Sequence, residues 1–143
     1  MTLYVDTSAL AKWYIDEIGS REFDIFIRSR FNAHISRLTI VEFQCALARR
    51  GRNRDISAAI ERSALKLFES HLKAGLLSVL PVEDAHFIAA VGILRDLPTL
   101  PLRTLDSLHL AIARATRMKS LATADHVMAA AARALKFETH TFG

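Results

Sequence analysis

Short apolar runs alternate along this chain with longer segments in which apolar residues recur every three or four positions. The first pattern marks buried strands and the second amphipathic helices. The runs 3–5, 33–36, 77–80, 120–123 and 137–141 read as strands. Helices are predicted over 9–18, 21–30, from 39 or 40 to 50, and over 56–73 and 83–97; another runs from 104 or 106 to 117, and the last over 126–135. Gly19, Gly51 and Gly75 fall where three of these helices should stop. Phe23, Phe26 and Ile27 share one side of their segment, and Ile60, Ala64, Leu67 and Phe68 form the expected inner stripe of 56–73. Strands separated by helices imply an α/β fold, with a parallel sheet covered on both faces. The alternation continues from end to end without linker, repeat or low-complexity stretch, so one domain over 1–143 is expected.

Composition narrows this picture. The chain has 143 residues, 51% of them hydrophobic, enough for a core that needs no covalent staples. Cys45 is the only cysteine, which excludes an internal disulfide and a thiolate zinc site and suits a reducing cytoplasm. No stretch approaches the ~20 apolar residues of a membrane span, and the N-terminal segment lacks a signal-peptide core. A soluble cytoplasmic protein is expected, with no membrane partner. The net charge of +4 and pI near 9.6 favour an anionic partner such as nucleic acid.

Four acids stand at the edges of predicted elements: Asp6 after the first strand, Glu42 and Asp106 near helix starts, and Asp125 after the strand 120–123. Each also has a structural reading. Asp6 and Asp125 suit helix N-caps, Thr39-Ile40-Val41-Glu42 fits a capping box, and Asp106 lies in a first turn where the helix dipole favours negative charge. Together they suggest more, because ligands of open α/β sheets bind beyond the carboxyl ends of strands. Hard oxygen donors without a histidine or cysteine cage suit Mg²⁺ or Mn²⁺ and phosphoryl chemistry.

The motifs Val5-Asp6-Thr7-Ser8-Ala9-Leu10, Ser36-Arg37-Leu38-Thr39-Ile40-Val41-Glu42-Phe43, Thr104-Leu105-Asp106-Ser107-Leu108-His109-Leu110-Ala111 and Leu121-Ala122-Thr123-Ala124-Asp125, in this order, resemble those of PIN-domain ribonucleases. More narrowly they resemble VapC-type toxins of type II toxin–antitoxin systems. The resemblance covers nearly the whole chain; the stretch 84–96 matches less sharply. It implies a three-layer α/β/α fold around a mostly parallel sheet of four to five short strands. It also implies a metal-dependent endoribonuclease leaving a 5′-phosphate, with Asp6, Glu42, Asp106 and Asp125 as catalytic metal-site acids and Thr123 as their polar neighbour. The expected partners are an RNA substrate, a small VapB-like antitoxin and a second copy of the chain; mean hydropathy of +0.19 is compatible with a covered subunit face.

Other features receive plainer readings. Arg37 and Arg103, beside acid motifs, are candidates to meet substrate phosphate. The run Arg49-Arg50-Gly51-Arg52-Asn53-Arg54 suits a solvated helix end as well as it suits RNA. His109 reads as a structural partner rather than a catalytic base, and Thr7 and Ser8 as caps, either of which could also touch the bound water shell. Ser8 stands where a haloacid-dehalogenase phosphatase needs its second Asp, and no Walker loop, dinucleotide fingerprint, nucleophile elbow or zinc-protease motif occurs. The alternatives that remain are a non-catalytic PIN-like nucleic-acid-binding module, disfavoured by retention of all four acids, and a metal-dependent nuclease acting on DNA.

Overall fold

Leu3-Tyr4-Val5 lies at the centre of a parallel sheet, with all three side chains buried. The computed structural model describes residues 2–30 and 32–143. Their elements run β1 (Leu3–Val5), α1 (Thr7–Tyr14), α2 (Ser20–Arg28), β2 (Ala33–Ser36), α3 (Arg37–Arg52), α4 (Ala58–Lys73), β3 (Ser78–Leu80), α5 (Asp84–Asp96), α6 (Thr104–Ala115), β4 (Ser120–Thr123), α7 (His126–Ala134) and β5 (Glu138–Thr141). The strand order is β3-β2-β1-β4-β5, and every neighbouring pair is parallel. Among the described residues no helix is long and apolar enough to cross a membrane.

Strand alternation divides the core into two layers. Leu3, Val5 and Ile35 join Leu10, Phe23, Phe43 and Phe68 beneath α1–α4. Tyr4 and Leu121 point the other way, into the layer of Ile93, Leu108, Ile112 and Met128 from α5, α6 and α7. The result is the three-layer α/β/α arrangement. The sheet is wholly parallel because every crossover carries helices, and the edge strands β3 and β5 are short and partly exposed.

Several local expectations are corrected. The first helix ends at Tyr14 rather than 18: Ile15 is extended (φ −125°, ψ 126°), and Lys12 Nζ donates to the carbonyl of Ile18, which folds 15–19 back on itself. Gly19, at φ +91°, caps the start of α2 instead of stopping α1. Gly51 lies inside α3, and the left-handed residue beyond that helix is Arg54 (φ 58°). In α4, Ala64 and Phe68 are buried, whereas Ile60 and Leu67 are 49% and 46% exposed and border a shallow groove beside Tyr14. Both are apolar, so periodicity could not separate an inner stripe from an exposed one.

The start of α3 carries the most consequential correction. Ser36, not Thr39, is the N-cap; Ser36 Oγ accepts from the N–H of Thr39 and Thr39 Oγ1 accepts from the N–H of Ser36. Glu42 therefore sits in the second turn, where no capping duty holds it. Its structural reading fails, and the carboxylate is left for another purpose.

Candidate active site

Asp6 ends β1 beside β4, where successive connections leave the sheet's middle in opposite directions. It is 4% exposed yet well partnered. Its Oδ1 accepts from the N–H of Ala9 at 3.0 Å and from Ser8 Oγ at 2.8 Å; its Oδ2 accepts from Thr123 Oγ1 at 2.5 Å. Burial raises its pKa, and these donors together with the charge of His109 offset that rise only in part. Ser8 also accepts from the N–H of Ala124 at 2.9 Å, and Thr123 Oγ1 accepts from the N–H of Asp125 at 3.0 Å. Ser8 and Thr123 thus bind the ends of β1 and β4 together around one carboxylate.

Glu42 reaches the same region from α3. Its Oε1 accepts from Thr7 Oγ1 at 2.7 Å and from Nε2 of His109. Burial works against its charge, but the hydrogen bond and charge of His109, the Thr7 hydroxyl and the more distant Arg103 outweigh burial and hold its pKa below the usual carboxylate range. Thr7 and Ser8, read from sequence as caps that could also touch the site, serve two acids. His109 is 3% exposed and partners Glu42 on one ring nitrogen and Tyr4 on the other.

Asp106 sits in the first turn of α6, where Oδ2 accepts from the N–H of Arg103 at 3.1 Å. Asp125 caps α7 through the N–H of Met128, as its position after β4 suggested. All four acids line one cavity of about 790 Å³. Lys12, Arg49, Arg50 and Arg103 line it too, so the acids face a cationic surround. Glu17 engages both Lys12 and Arg50, whereas Arg49 makes no ion pair among the described residues. Arg37 is exposed at the start of α3 and does not border the cavity; of the 49–54 run only Arg49 and Arg50 do.

The sequence model of the PIN domain matches residues 3–134. The chain belongs to the PIN-domain family. No curated protein matches it by sequence. Among solved structures it is similar to Mycobacterium tuberculosis VapC20, a sarcin–ricin loop cleaving toxin, with TM-score 0.72 and 16% identity over 91% of this chain and 95% of that one. FitAcB from Neisseria gonorrhoeae gives 0.71 and 15%, covering 98% and 97%. VapBC2 from Rickettsia felis, solved with a promoter DNA fragment, gives 0.69 and 14% over 100% of both chains. At these identities the likeness is one of fold.

In this PIN domain the acids share a cavity without forming a closed cage: among the described residues no three His, Cys, Asp or Glu side chains are grouped to hold one metal ion. Their donor chemistry nevertheless fits a hard dication. Every donor is a carboxylate oxygen, and Glu42 Oε2, Asp106 Oδ1 and Asp125 Oδ2 receive no hydrogen bond from the described residues. Mg²⁺ in particular keeps several waters and takes only one or two carboxylates directly, so such dispersed acids can act through its water shell. Sequence reading missed Tyr4 as part of this region; a hydroxyl inside an apolar strand was the available signal.

Proposed function

We propose that this PIN domain is a Mg²⁺- or Mn²⁺-dependent endoribonuclease and the toxin of a toxin–antitoxin pair. The observation that carries the proposal is the single cavity into which Asp6, Glu42, Asp106 and Asp125 all open, beyond the carboxyl ends of parallel strands. Asp6 and Asp106 would hold the ion directly, with Glu42 and Asp125 acting on its water shell or on a second ion. A bound divalent ion supplies Lewis-acid charge at a phosphate and makes water more acidic.

The chain's own groups do the rest. Ser8, Thr123 and the N–H of Ala9 keep Asp6 ionisable despite its burial. Thr7 and His109 fix one oxygen of Glu42, so that its other oxygen can orient an attacking water. Arg103, 81% exposed and lining the cavity, would meet a phosphate of the incoming strand. Arg49, on the cavity face of α3 two turns beyond Glu42 (about 10 Å along the axis), would meet another.

Similar structures include a toxin–antitoxin complex from Klebsiella pneumoniae and DNA-bound VapBC from Salmonella typhimurium, which supports a small VapB-like antitoxin as partner here. A homodimer is also proposed; the exposed Phe87, Ile88 and Val91 of α5 offer an apolar face for it. The deciding experiment is cleavage of single-stranded RNA by wild type, Asp6→Asn and Asp106→Asn in Mg²⁺, with duplex and flap DNA alongside. Metal-dependent RNA cleavage lost in both variants is expected. Equal activity in all three proteins, activity that survives excess EDTA, or a preference for DNA would overturn the reading.

A further inference from the structure

Tyr4 is fully buried in β1, and a buried phenol needs partners for its hydroxyl. Its Oη donates to Ser36 Oγ at 3.0 Å and lies 2.6 Å from Nδ1 of His109. The two rings are tilted by 60°, with centroids 5.7 Å apart. Ser36 is tied in turn to Thr39, whose Oγ1 accepts from the N–H of Ser36 at 3.1 Å. His109 Nε2 then faces Oε1 of Glu42. A carboxylate only accepts, so that nitrogen presents N–H to it. Tyr4, Ser36, Thr39 and His109 are all buried, and the chain reaches the cavity only at its last two members, His109 and Glu42.

Four buried polar side chains are a costly way to fill a core, since each must find its partner where an apolar residue needs none. Phenylalanine at position 4 would fill nearly the same volume. The network also closes on itself: Ser36 and Thr39 cap the helix that carries Glu42, while Tyr4 and His109 come from the central strand and from α6. It therefore sets α3 and α6 in register around one carboxylate.

We propose that the buried chain Thr39–Ser36–Tyr4–His109 is a positioning device for Glu42, fixing Oε1 and leaving Oε2 for the metal or its water. Tyr4 and His109 are thus positioning residues of the nuclease proposed above, on which this inference rests. Tyr4 does not line the cavity, and both ring nitrogens of His109 are engaged by Tyr4 and Glu42. Partners one step removed from a metal ligand commonly change metal affinity or activity about 10- to 100-fold when lost.

The test measures kcat and KM on an RNA oligonucleotide, and Mn²⁺ affinity by calorimetry, in wild type, Tyr4→Phe, His109→Leu, His109→Gln, Glu42→Gln and the Tyr4→Phe/Glu42→Gln double variant; circular dichroism checks each fold. Tyr4→Phe is expected to lower kcat and Mn²⁺ affinity by about 3- to 10-fold at unchanged KM, and His109→Leu by about 10- to 100-fold. His109→Gln, whose amide still donates, recovers most of the loss. Once Glu42 is Gln, Tyr4→Phe adds nothing. Wild-type kcat and Mn²⁺ affinity in Tyr4→Phe would overturn the inference, as would an equal effect of that change with and without Glu42. If wild type cleaves no RNA, the nuclease reading fails alone, and the Mn²⁺ titration still decides on the network: weakened binding in Tyr4→Phe supports it and unchanged binding overturns it.

Discussion

The hydroxyl of Thr123 donates to Oδ2 of Asp6 at 2.5 Å, across the junction where β4 meets β1. The two residues are 117 positions apart in sequence and both are buried, so this contact depends on the whole sheet. It makes a buried carboxylate tolerable at the point where the cavity opens.

Thr123→Val keeps the shape and removes the donor. Leaving a buried acceptor short of a partner costs about 1–3 kcal/mol, and more when it is charged. The expected outcome is a melting temperature lower by several degrees near neutral pH and weaker Mn²⁺ binding, read by thermal melts and calorimetry. Thr123→Ser, which retains the hydroxyl, should stay close to wild type; a Val variant as stable as wild type would show that Asp6 does not need this donor.

Asp6 and Glu42 should drive stability with pH in opposite directions. Burial raises the pKa of Asp6 above its ordinary 3.8, so its contribution is complete below that pH and is lost as pH rises through the raised value. The pKa of Glu42 is lowered from 4.5, so its contribution is present above that pH and is lost as pH falls through the lowered value. Asp6→Asn is therefore expected to raise the metal-free melting temperature at pH 7 while abolishing cleavage. Glu42→Gln is expected to flatten the loss of stability below about pH 4.5. Melts from pH 3 to 8 without metal check both signs.

The elements were legible in the sequence because a parallel sheet needs apolar runs at regular intervals, and Asp6 and Asp125 were legible because each ends such a run. The role of Tyr4 was not. One hydroxyl on an inward strand position looks like core until its partners are known, and those partners lie 32 and 105 residues away. Thr39 drew the capping reading from Ser36 because both positions suit a cap, and only the backbone, turning at Ser36, separates them. Ile60 and Leu67 misled because apolarity does not say which side of a helix is covered.

Divalent metal should stabilise the protein. An ion that binds only the folded state contributes about 2.7 kcal/mol at 100 times its Kd. Millimolar Mn²⁺ is expected to raise the melting temperature, EDTA to reverse the rise, and Asp106→Asn to shrink it by more than half. Because the four acids lie around the cavity rather than in a closed cage, the Asp125→Asn effect should be smaller than that of Asp106→Asn. A melting curve indifferent to Mn²⁺ would count against a metal site among these acids.

The cavity's cations should set RNA affinity in a residue-specific way. Arg49 and Arg103 line the cavity, whereas Arg37, Arg52 and Arg54 do not. Arg50 and Lys12 share Glu17, which leaves Arg49 the less compensated charge on the cavity face of α3. Each lost phosphate contact with a single strand reduces the slope of log K against log salt by about 0.7. Arg49→Ala and Arg103→Ala are therefore expected to weaken single-stranded RNA binding several-fold and to lower that slope, with Arg37→Ala, Arg52→Ala and Arg54→Ala near wild type. Binding is measured by fluorescence anisotropy in EDTA at several salt concentrations, which suppresses cleavage and separates affinity from catalysis. If all five variants weaken binding alike, charge over the whole surface governs attraction, and the lining of the cavity does not choose the path of the strand.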